Sequence, residues 1–180
     1  MKRALYLLAE LSDRDFNWWV TVGKRKQIPA GTVLIQEGQP IDALYLVLDG
    51  TLSVTAEVLE GKEIATLSGG EIVGEMSFVD ARPPSATVTA LEDTVVWVIP
   101  RPQLAAKLLQ DTAFAAHFYH AIAAFLSDRV RGTVSRLGYS RYPQLNQGTE
   151  SANNLNPEIS ATLELAKVRL DWLLNRLKDT

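Results

Sequence analysis

Residues 69–90 constrain the fold more than any other stretch of this sequence, and they read G-G-E-I-V-G-E-M-S-F-V-D-A-R-P-P-S-A-T-V-T-A. Its glycines surround an apolar pair, and glycine lets backbone approach a ligand or another backbone closely. Glu75 follows Gly74 directly, so its carboxylate lies beside a turn, where it can accept hydrogen bonds from a sugar diol. After a Pro-Pro corner, the sequence alternates like a strand from Ser85, where backbone N–H groups can bind an anion. This stretch therefore predicts a turn-rich site between strands.

Short apolar segments separated by turn residues extend over residues 27–100. The Asp49-Gly50 dipeptide is the strongest hairpin signal, because this pair favours the tight turns that join antiparallel strands. Short strands at this spacing predict a sandwich or a barrel. The predicted strands cover residues 32–36, 43–48, 51–58, 62–67, 85–91 and 94–99.

The glycine, glutamate and Ser-Ala positions of residues 69–90 closely resemble the phosphate-binding cassette of the cyclic nucleotide-binding domain family, which reads roughly G-E-x-x-G-E, then five to seven residues, then R-P-R-[ST]-A-[TS]-V. Residues 29–38 and 44–54 also fit family patterns, P-A-G-x-x-[LI]-x-x-x-G and L-x-L-V-L-x-G-x-L-x-V. The resemblance covers roughly residues 5–137. It implies a mainly β fold with flanking helices, a jelly roll (double-stranded β-helix) of about eight strands.

The resemblance implies cAMP or cGMP as a ligand, with no cofactor required. Glu75 is expected to hold the ribose 2′-hydroxyl. The family places an arginine for the cyclic phosphate where this chain has Pro84, and proline has neither charge nor N–H. Loss of a charged hydrogen bond worth roughly 1.5–3 kcal/mol is expected to weaken binding by about 10- to 150-fold. The expected ligand-binding residues are Val73, Gly74, Glu75, Met76, Arg82, Ser85, Ala86 and Thr87.

Several of these residues also have a simpler interpretation. Glu75 can be a turn carboxylate bonded to backbone amides, and Ser85 and Ala86 can simply begin a strand. Arg82 can replace the lost guanidinium, but a surface arginine is the preferred interpretation. The long helix that closes over the base in the family offers three candidates here, namely Ser127, Arg129 and Thr133.

Helices are predicted on both sides of the strands. Residues 2–22 form two helices, the second capped by Ser12, and residues 102–109 form a short one. The predicted organisation is a cyclic nucleotide-binding-like domain over 1–137 (jelly roll 26–100, long helix 111–137), a polar linker over 138–156 and an amphipathic helix over 157–180.

Two apolar stripes on these helices need a cover. The stripe on the long helix can pack on its own sheet or on a second copy, and since this helix forms the dimer seam in the family, a homodimer is expected. Its residues are Phe114, Phe118, Ala121, Phe125 and Leu126. The last helix has an a/d seam that either folds back on its own domain or its dimer mate, or binds another protein through residues 157–178. Its residues are Ile159, Leu163, Ala166, Leu170, Leu173 and Leu177.

Composition excludes several function classes. The chain has no cysteine, hence no disulfide or thiolate metal site. Its net charge of −3 does not favour nucleic acid, which needs a basic face. Only 43 residues follow Leu137, too few for the helix-turn-helix module of catabolite-activator-like proteins, so no DNA partner is expected. With no signal peptide or long apolar segment, we expect a cytoplasmic protein without a membrane partner.

No catalytic or metal site is expected either. Jelly-roll metalloenzymes need about three histidines and a carboxylate, whereas the two histidines here, His117 and His120, lie on the long helix with no carboxylate within four residues. The sequence thus predicts a stand-alone, non-enzymatic sensor domain that binds cAMP or cGMP weakly because of Pro84. The alternative is a dimeric adaptor that binds no ligand and acts through its C-terminal helix.

Overall fold

The computed structural model describes residues 4–80, 82–141 and 157–175. Its eight strands are β1 (Lys24–Ile28), β2 (Val33–Ile35), β3 (Ala43–Asp49), β4 (Thr51–Thr55), β5 (Glu63–Ser68), β6 (Ile72–Val73), β7 (Thr87–Ala90) and β8 (Thr94–Pro100). They form two four-stranded antiparallel sheets, with strand orders β1-β8-β3-β6 and β2-β7-β4-β5. The predicted jelly roll is therefore confirmed.

Helices flank the two sheets, as predicted. They are α1 (Ala4–Glu10), α2 (Asp13–Val22), α3 (Met76–Val79), α4 (Arg101–Gln110), α5 (Thr112–Arg141) and α6 (Pro157–Asn175). Ser12 is the N-cap of α2 and forms a capping box with Asp15, which confirms the predicted cap. None of the described helices is long and apolar enough to cross a membrane.

The elements differ from the sequence prediction at several places. Strand β1 (Lys24–Ile28) was not predicted, because its first four residues are polar and show no apolar alternation. Strand β4 ends at Thr55 rather than 58, because a 3-10 turn over Glu57–Leu59 leads into β5. The two-residue strand β6 was not predicted, since so short a segment between glycines has no visible periodicity. Helix α5 continues to Arg141, past the predicted end at 137 and into the predicted linker.

Strand β3 lies at the centre of the molecule because both of its faces are covered. Leu44, Leu46 and Leu48 face the cluster formed with the helices. Tyr45 and Val47 alternate with them and join the cluster between the two sheets. This strand is therefore buried over its whole length except its last residue, and it is the support on which the neighbouring strand β6 is positioned.

The aromatic stripe of α5 is covered by its own chain. Phe114, Phe118, Ala121 and Phe125 are at most 1% exposed and belong to the same apolar cluster as α1. Leu126 is partly buried against this cluster. The sequence predicts that this stripe packs either on its own sheet or on a second copy of the chain. The structure shows packing within the chain.

Helix α6 packs against α1 of its own domain. Ala166, Leu170 and Leu173 are buried in the cluster shared with α1, whereas Ile159, Leu163 and Leu177 have side chains outside the described part of the structure. The guanidinium of Arg169, 5% exposed, donates to the carbonyls of Leu8 and Leu11 at the end of α1 and to the Asp13 carboxylate. Buried charge is tolerated because these acceptors satisfy it. The structure thus places α6 on its own domain.

Candidate functional site

A sharp turn after β6 positions the main candidate residue. Gly74 has a φ of +89°, and a Cβ atom there would lie 3.0 Å from the carbonyl oxygen of Ala43. Only glycine fits both constraints without strain. The turn directs Glu75 to the start of α3, where its carbonyl accepts a hydrogen bond from the N–H of Phe78 at 3.0 Å. The local backbone therefore fixes the position of the Glu75 carboxylate.

The Glu75 side chain is buried beside a cation from a distant helix. Glu75 is 3% exposed, and its Oε1 lies 3.5 Å from Nη1 of Arg129 on α5. A buried carboxylate is costly unless it is paired or hydrogen-bonded, and Arg129 provides such a pairing. This contact joins α5 to the turn that follows β6.

Glu75 and Arg129 line a cavity of about 340 Å³. Its floor is apolar and comes from both sheets, through Ile35, Val54, Leu67, Val73 and Val88. Its remaining walls come from the segment between Gly74 and Ala86, namely Gly74, Met76, Ser77, Asp80, Arg82, Pro83, Pro84, Ser85 and Ala86. An apolar cavity with a few polar groups at its rim is the usual form of a small-molecule site.

Among the residues that the structure describes, none places a buried cation at the far end of this cavity. Pro83 and Pro84 have no backbone N–H to donate. The side chain of Arg82 is 82% exposed, and its Nε lies 3.7 Å from Oδ2 of Asp80. Asp80 also accepts the backbone N–H of Arg82 at 3.1 Å. The nearest described guanidinium at this end is thus at the surface and beside an acid.

Nearly all of the predicted cassette residues line this cavity, and Thr87 is the exception. Its hydroxyl accepts hydrogen bonds from Gln36 Nε2 at 3.2 Å and from the N–H of Glu37 at 3.1 Å, which ties β7 to the end of β2. The Thr87 hydroxyl thus holds β7 and the segment after β2 together, and a contact of Thr87 with a ligand stays a prediction.

Of the three residues predicted on the long helix, the structure brings only Arg129 to the cavity. Ser127 is exposed and does not line it. The side chain of Thr133 lies outside the described part of the structure.

The sequence model of the cyclic nucleotide-binding domain matches residues 25–111. This range contains the turn at Gly74, the Glu75 carboxylate and the whole cassette wall of the cavity. Residues 25–111 are a cyclic nucleotide-binding domain. Helices α1, α5 and α6 lie outside the matched range, although α5 supplies Arg129 to the cavity.

Two solved structures show the same fold. A cyclic nucleotide-binding domain from Methylobacillus flagellatus superposes with a TM-score of 0.65 at 25% identity, covering 74% of this chain and 80% of that chain. The catabolite activator protein of Thermus thermophilus superposes with a TM-score of 0.60 at 25% identity, covering 97% of this chain and 87% of that chain.

Sequence relatives contain this domain within longer chains. The cyclic AMP receptor protein of Thermus thermophilus is 34% identical over 110 residues, which are 60% of this chain and 49% of that protein. An uncharacterized NTE family protein of Mycobacterium bovis is 32% identical over 97 residues, or 54% of this chain and 16% of that protein. This chain thus spans less than half the length of these curated relatives.

Apart from Val73, the apolar floor of the cavity in the cyclic nucleotide-binding domain was not predicted from the sequence. Its residues occupy ordinary inward positions of strands β2, β4, β5, β6 and β7, so nothing in their local pattern separates them from core residues. Ser77 and Asp80 were missed as well, because they lie inside the short apolar run after Glu75. These side chains are recognised as part of the cavity wall only in the folded protein, where the two sheets meet around α3.

Proposed function

We propose that this chain is a regulatory sensor domain that binds a cyclic nucleotide, cAMP or cGMP, in the cavity beside Glu75. The proposal includes no catalytic step and no cofactor. A cytoplasmic location, expected from the sequence, is part of it. In this proposal the nucleotide biases the position of α5, since a ligand shifts a conformational equilibrium only by binding one arrangement better than the other.

The observation that carries this proposal is the buried Glu75 carboxylate at the edge of an otherwise apolar cavity. A carboxylate held in this way can accept hydrogen bonds from two adjacent hydroxyls of a ribose. Arg129 lies against the same carboxylate, so a ligand at Glu75 also contacts or displaces the side chain that links α5 to the site. Ligand binding and the position of α5 are thereby coupled.

Weak affinity is part of the proposal. At the position of Pro84, the protein offers the phosphate neither a guanidinium nor an N–H. The backbone amides near Ser85 remain as candidate donors, and hydrogen bonds to a charged group are worth about 1.5–3 kcal/mol each. An added guanidinium at position 84 should therefore tighten binding substantially.

Calorimetric titration with cAMP and cGMP tests this proposal, using wild type, Pro84→Arg and Pro40→Arg. The Pro40→Arg variant is the matched control, since it adds the same charge at an exposed proline that does not line the cavity. We expect Pro84→Arg to bind at least about tenfold more tightly than wild type. We expect Pro40→Arg to change the affinity less than about threefold, because it adds only general electrostatic attraction.

Two outcomes would change the proposal. If wild type already binds in the micromolar range or tighter, Pro84 does not limit the affinity, and Arg82 or Arg129 supplies the missing charge. If neither wild type nor Pro84→Arg binds either nucleotide, the cassette serves only as architecture.

We further propose a homodimer, through a row on α5 that differs from the buried aromatic stripe. Tyr119 is 42% exposed and Val130 is 61% exposed. The residues of the row follow one another at three- and four-residue steps, as in a helix–helix seam. They are Ala116, Tyr119, Ala123 and Val130, with the partly buried Leu126 of the stripe between the last two.

Sedimentation velocity tests the dimer with Ala123→Glu, at the centre of this row. We expect a dimer for wild type and a monomer for Ala123→Glu, since a charge at the seam is desolvated on pairing. Leu109→Glu, on α4 and 87% exposed, is the control and should remain dimeric. A dimer that survives Ala123→Glu would exclude this seam.

An adaptor that binds no nucleotide is the second candidate, and one observation favours it. Helix α6 has an outer row of apolar residues, with Leu165 43%, Val168 64% and Trp172 39% exposed. Such a row suits a protein partner docking through residues 157–178. This candidate predicts that neither wild type nor Pro84→Arg binds cAMP or cGMP in the titration above.

A further inference from the structure

One turn of α5, residues 117–120, contacts three different helices. On one side, the Phe118 ring packs edge-on against Phe78 of α3, with centroids 6.2 Å apart. The Tyr119 hydroxyl donates to the carbonyl of Phe78 at 3.4 Å. Since α3 begins directly after Glu75, the contacts with Phe78 join residues 117–120 to the segment that contains Glu75.

On the other side, the same turn contacts the N-terminal helices through both histidines of the chain. Nδ1 of His117 lies 2.7 Å from Oδ2 of Asp15 on α2. Nδ1 of His120 lies 3.0 Å from Oε2 of Glu10 on α1. The two imidazoles therefore attach α5 to α1 and α2 at two points.

The Asp15 carboxylate, which faces the His117 imidazole, keeps its negative charge near neutral pH. Burial acts to raise the pKa of Asp15, but hydrogen bonds from Ser12 and His117 outweigh it and hold the pKa below its ordinary value. Asp15 is also part of the capping box of α2. A buried, charged acceptor attracts an imidazolium more strongly than a neutral imidazole.

Other described charged groups at this junction are paired with one another. Arg14 of α2 and Lys107 of α4 both face Asp111, at 3.8 Å and 2.7 Å. The hydrogen bonds from Lys107 and from the N–H of Phe114 lower the pKa of Asp111 to about 2. Arg169 of α6 is engaged by Asp13. Imidazole is the side chain that ordinarily changes charge between about pH 5 and 8.

We propose that the His117–Asp15 and His120–Glu10 pairs form a pH-dependent attachment of α5 to the N-terminal helices, which controls how firmly α5 closes over the cavity. When the imidazoles are protonated, both pairs are ionic and α5 is held against α1 and α2. When the imidazoles are neutral, this part of the attachment is lost. The effect on ligand affinity rests on the proposed nucleotide-binding function, whereas the attachment itself does not.

The first test needs no ligand. Hydrogen–deuterium exchange of the α5 amides is measured at pH 6 and pH 8 and corrected for the intrinsic pH dependence of exchange. In wild type we expect about three- to tenfold more protection at pH 6, from two partly exposed ion pairs. The double variant His117→Gln/His120→Gln keeps amide donors but cannot become charged, so its corrected protection should be the same at both pH values.

Single variants keep the proposal testable if the double variant does not fold. His120→Gln removes only the more exposed pair, whose imidazole is 70% exposed, and should retain part of the pH dependence. Glu10→Gln removes the carboxylate of the same pair and should match it. If the corrected protection of α5 changes equally with pH in wild type and in these variants, the proposal is overturned.

The second test links the attachment to the cavity. Titration with cAMP at pH 6 and pH 8 should give about three- to tenfold tighter binding at pH 6 in wild type, and no difference in the double variant. The cyclic phosphate diester keeps one negative charge throughout this range, so the ligand adds no titration of its own. If exchange shows the attachment but cAMP does not bind at either pH, the nucleotide-binding proposal fails while the attachment stands. Equal cAMP affinity of the wild type at both pH values would show that the attachment affects α5 but not the cavity.

Discussion

The two ends of the cavity are built in different ways. At the end that contains Glu75, a glycine with a left-handed conformation, a strand pairing with β3 and a cation from α5 all determine the position of one buried carboxylate. At the end that contains Pro84, the wall is a proline pair flanked by an exposed arginine and an exposed serine. One end is buried and supported by distant elements, whereas the other lies at the surface.

This difference shows what a substitution at either end would remove. Pro84 is partly buried, and its carbonyl accepts a hydrogen bond from the N–H of Gly38 at 2.9 Å, a contact that does not involve the side chain. Replacing Glu75 removes a buried carboxylate from its pairing with Arg129, whose own side chain is 34% exposed. The proposed function assigns the ribose to the buried end and the phosphate to the end that contains Pro84.

The largest effect should come from Glu75→Gln, which keeps the shape of the side chain and removes its charge. We expect cAMP affinity to fall about 100-fold, because hydrogen bonds from the ribose hydroxyls to a charged acceptor are lost. Calorimetric titration in the Pro84→Arg background gives enough signal to measure this loss. Glu57→Gln, in the exposed turn before β5, is the control. A loss below threefold would show that Glu75 is only a turn carboxylate.

A smaller effect should come from Arg129→Gln, which keeps Glu75 and removes its partner on α5. The Arg129 side chain is 34% exposed, so its pairing is partly screened, and we expect a loss of about three- to fivefold in cAMP affinity. Arg131→Gln, an exposed neighbour on the same helix, provides the matched control for net charge. An increase in affinity would instead show that Arg129 competes with the ligand for Glu75.

The smallest effect should come from Arg82→Gln, at the phosphate end. Asp80 already faces this guanidinium, and the side chain is mostly in water, so we expect less than about a twofold change in cAMP affinity. The same titration at low and high salt separates a direct contact from general attraction, since screening weakens only the latter strongly. A tenfold loss would identify Arg82 as the replacement for the missing arginine and would contradict the contrast between the two ends.

The local parts of this site could be predicted from the sequence, because each depends on a short backbone pattern. The turn at Gly74 and the cap at Ser12 are of this kind. The hydrogen-bond partners of Thr87 could not be predicted in this way, since membership of a motif does not determine what a hydroxyl contacts. The distant pairings could not be predicted, because they join residues far apart in sequence, such as His117 with Asp15 and Arg129 with Glu75.

The contact of Arg169 with the end of α1 has a consequence for how the chain matures during synthesis. Helix α1 has only seven residues, and so short a helix is not stable by itself in water. The arginine that binds its last carbonyls lies 161 positions after Leu8, so a ribosome must synthesise and release α6 before this contact can form. We therefore expect α1 to reach its final position late, and its segment to remain accessible to chaperones and proteases until α6 has left the ribosome.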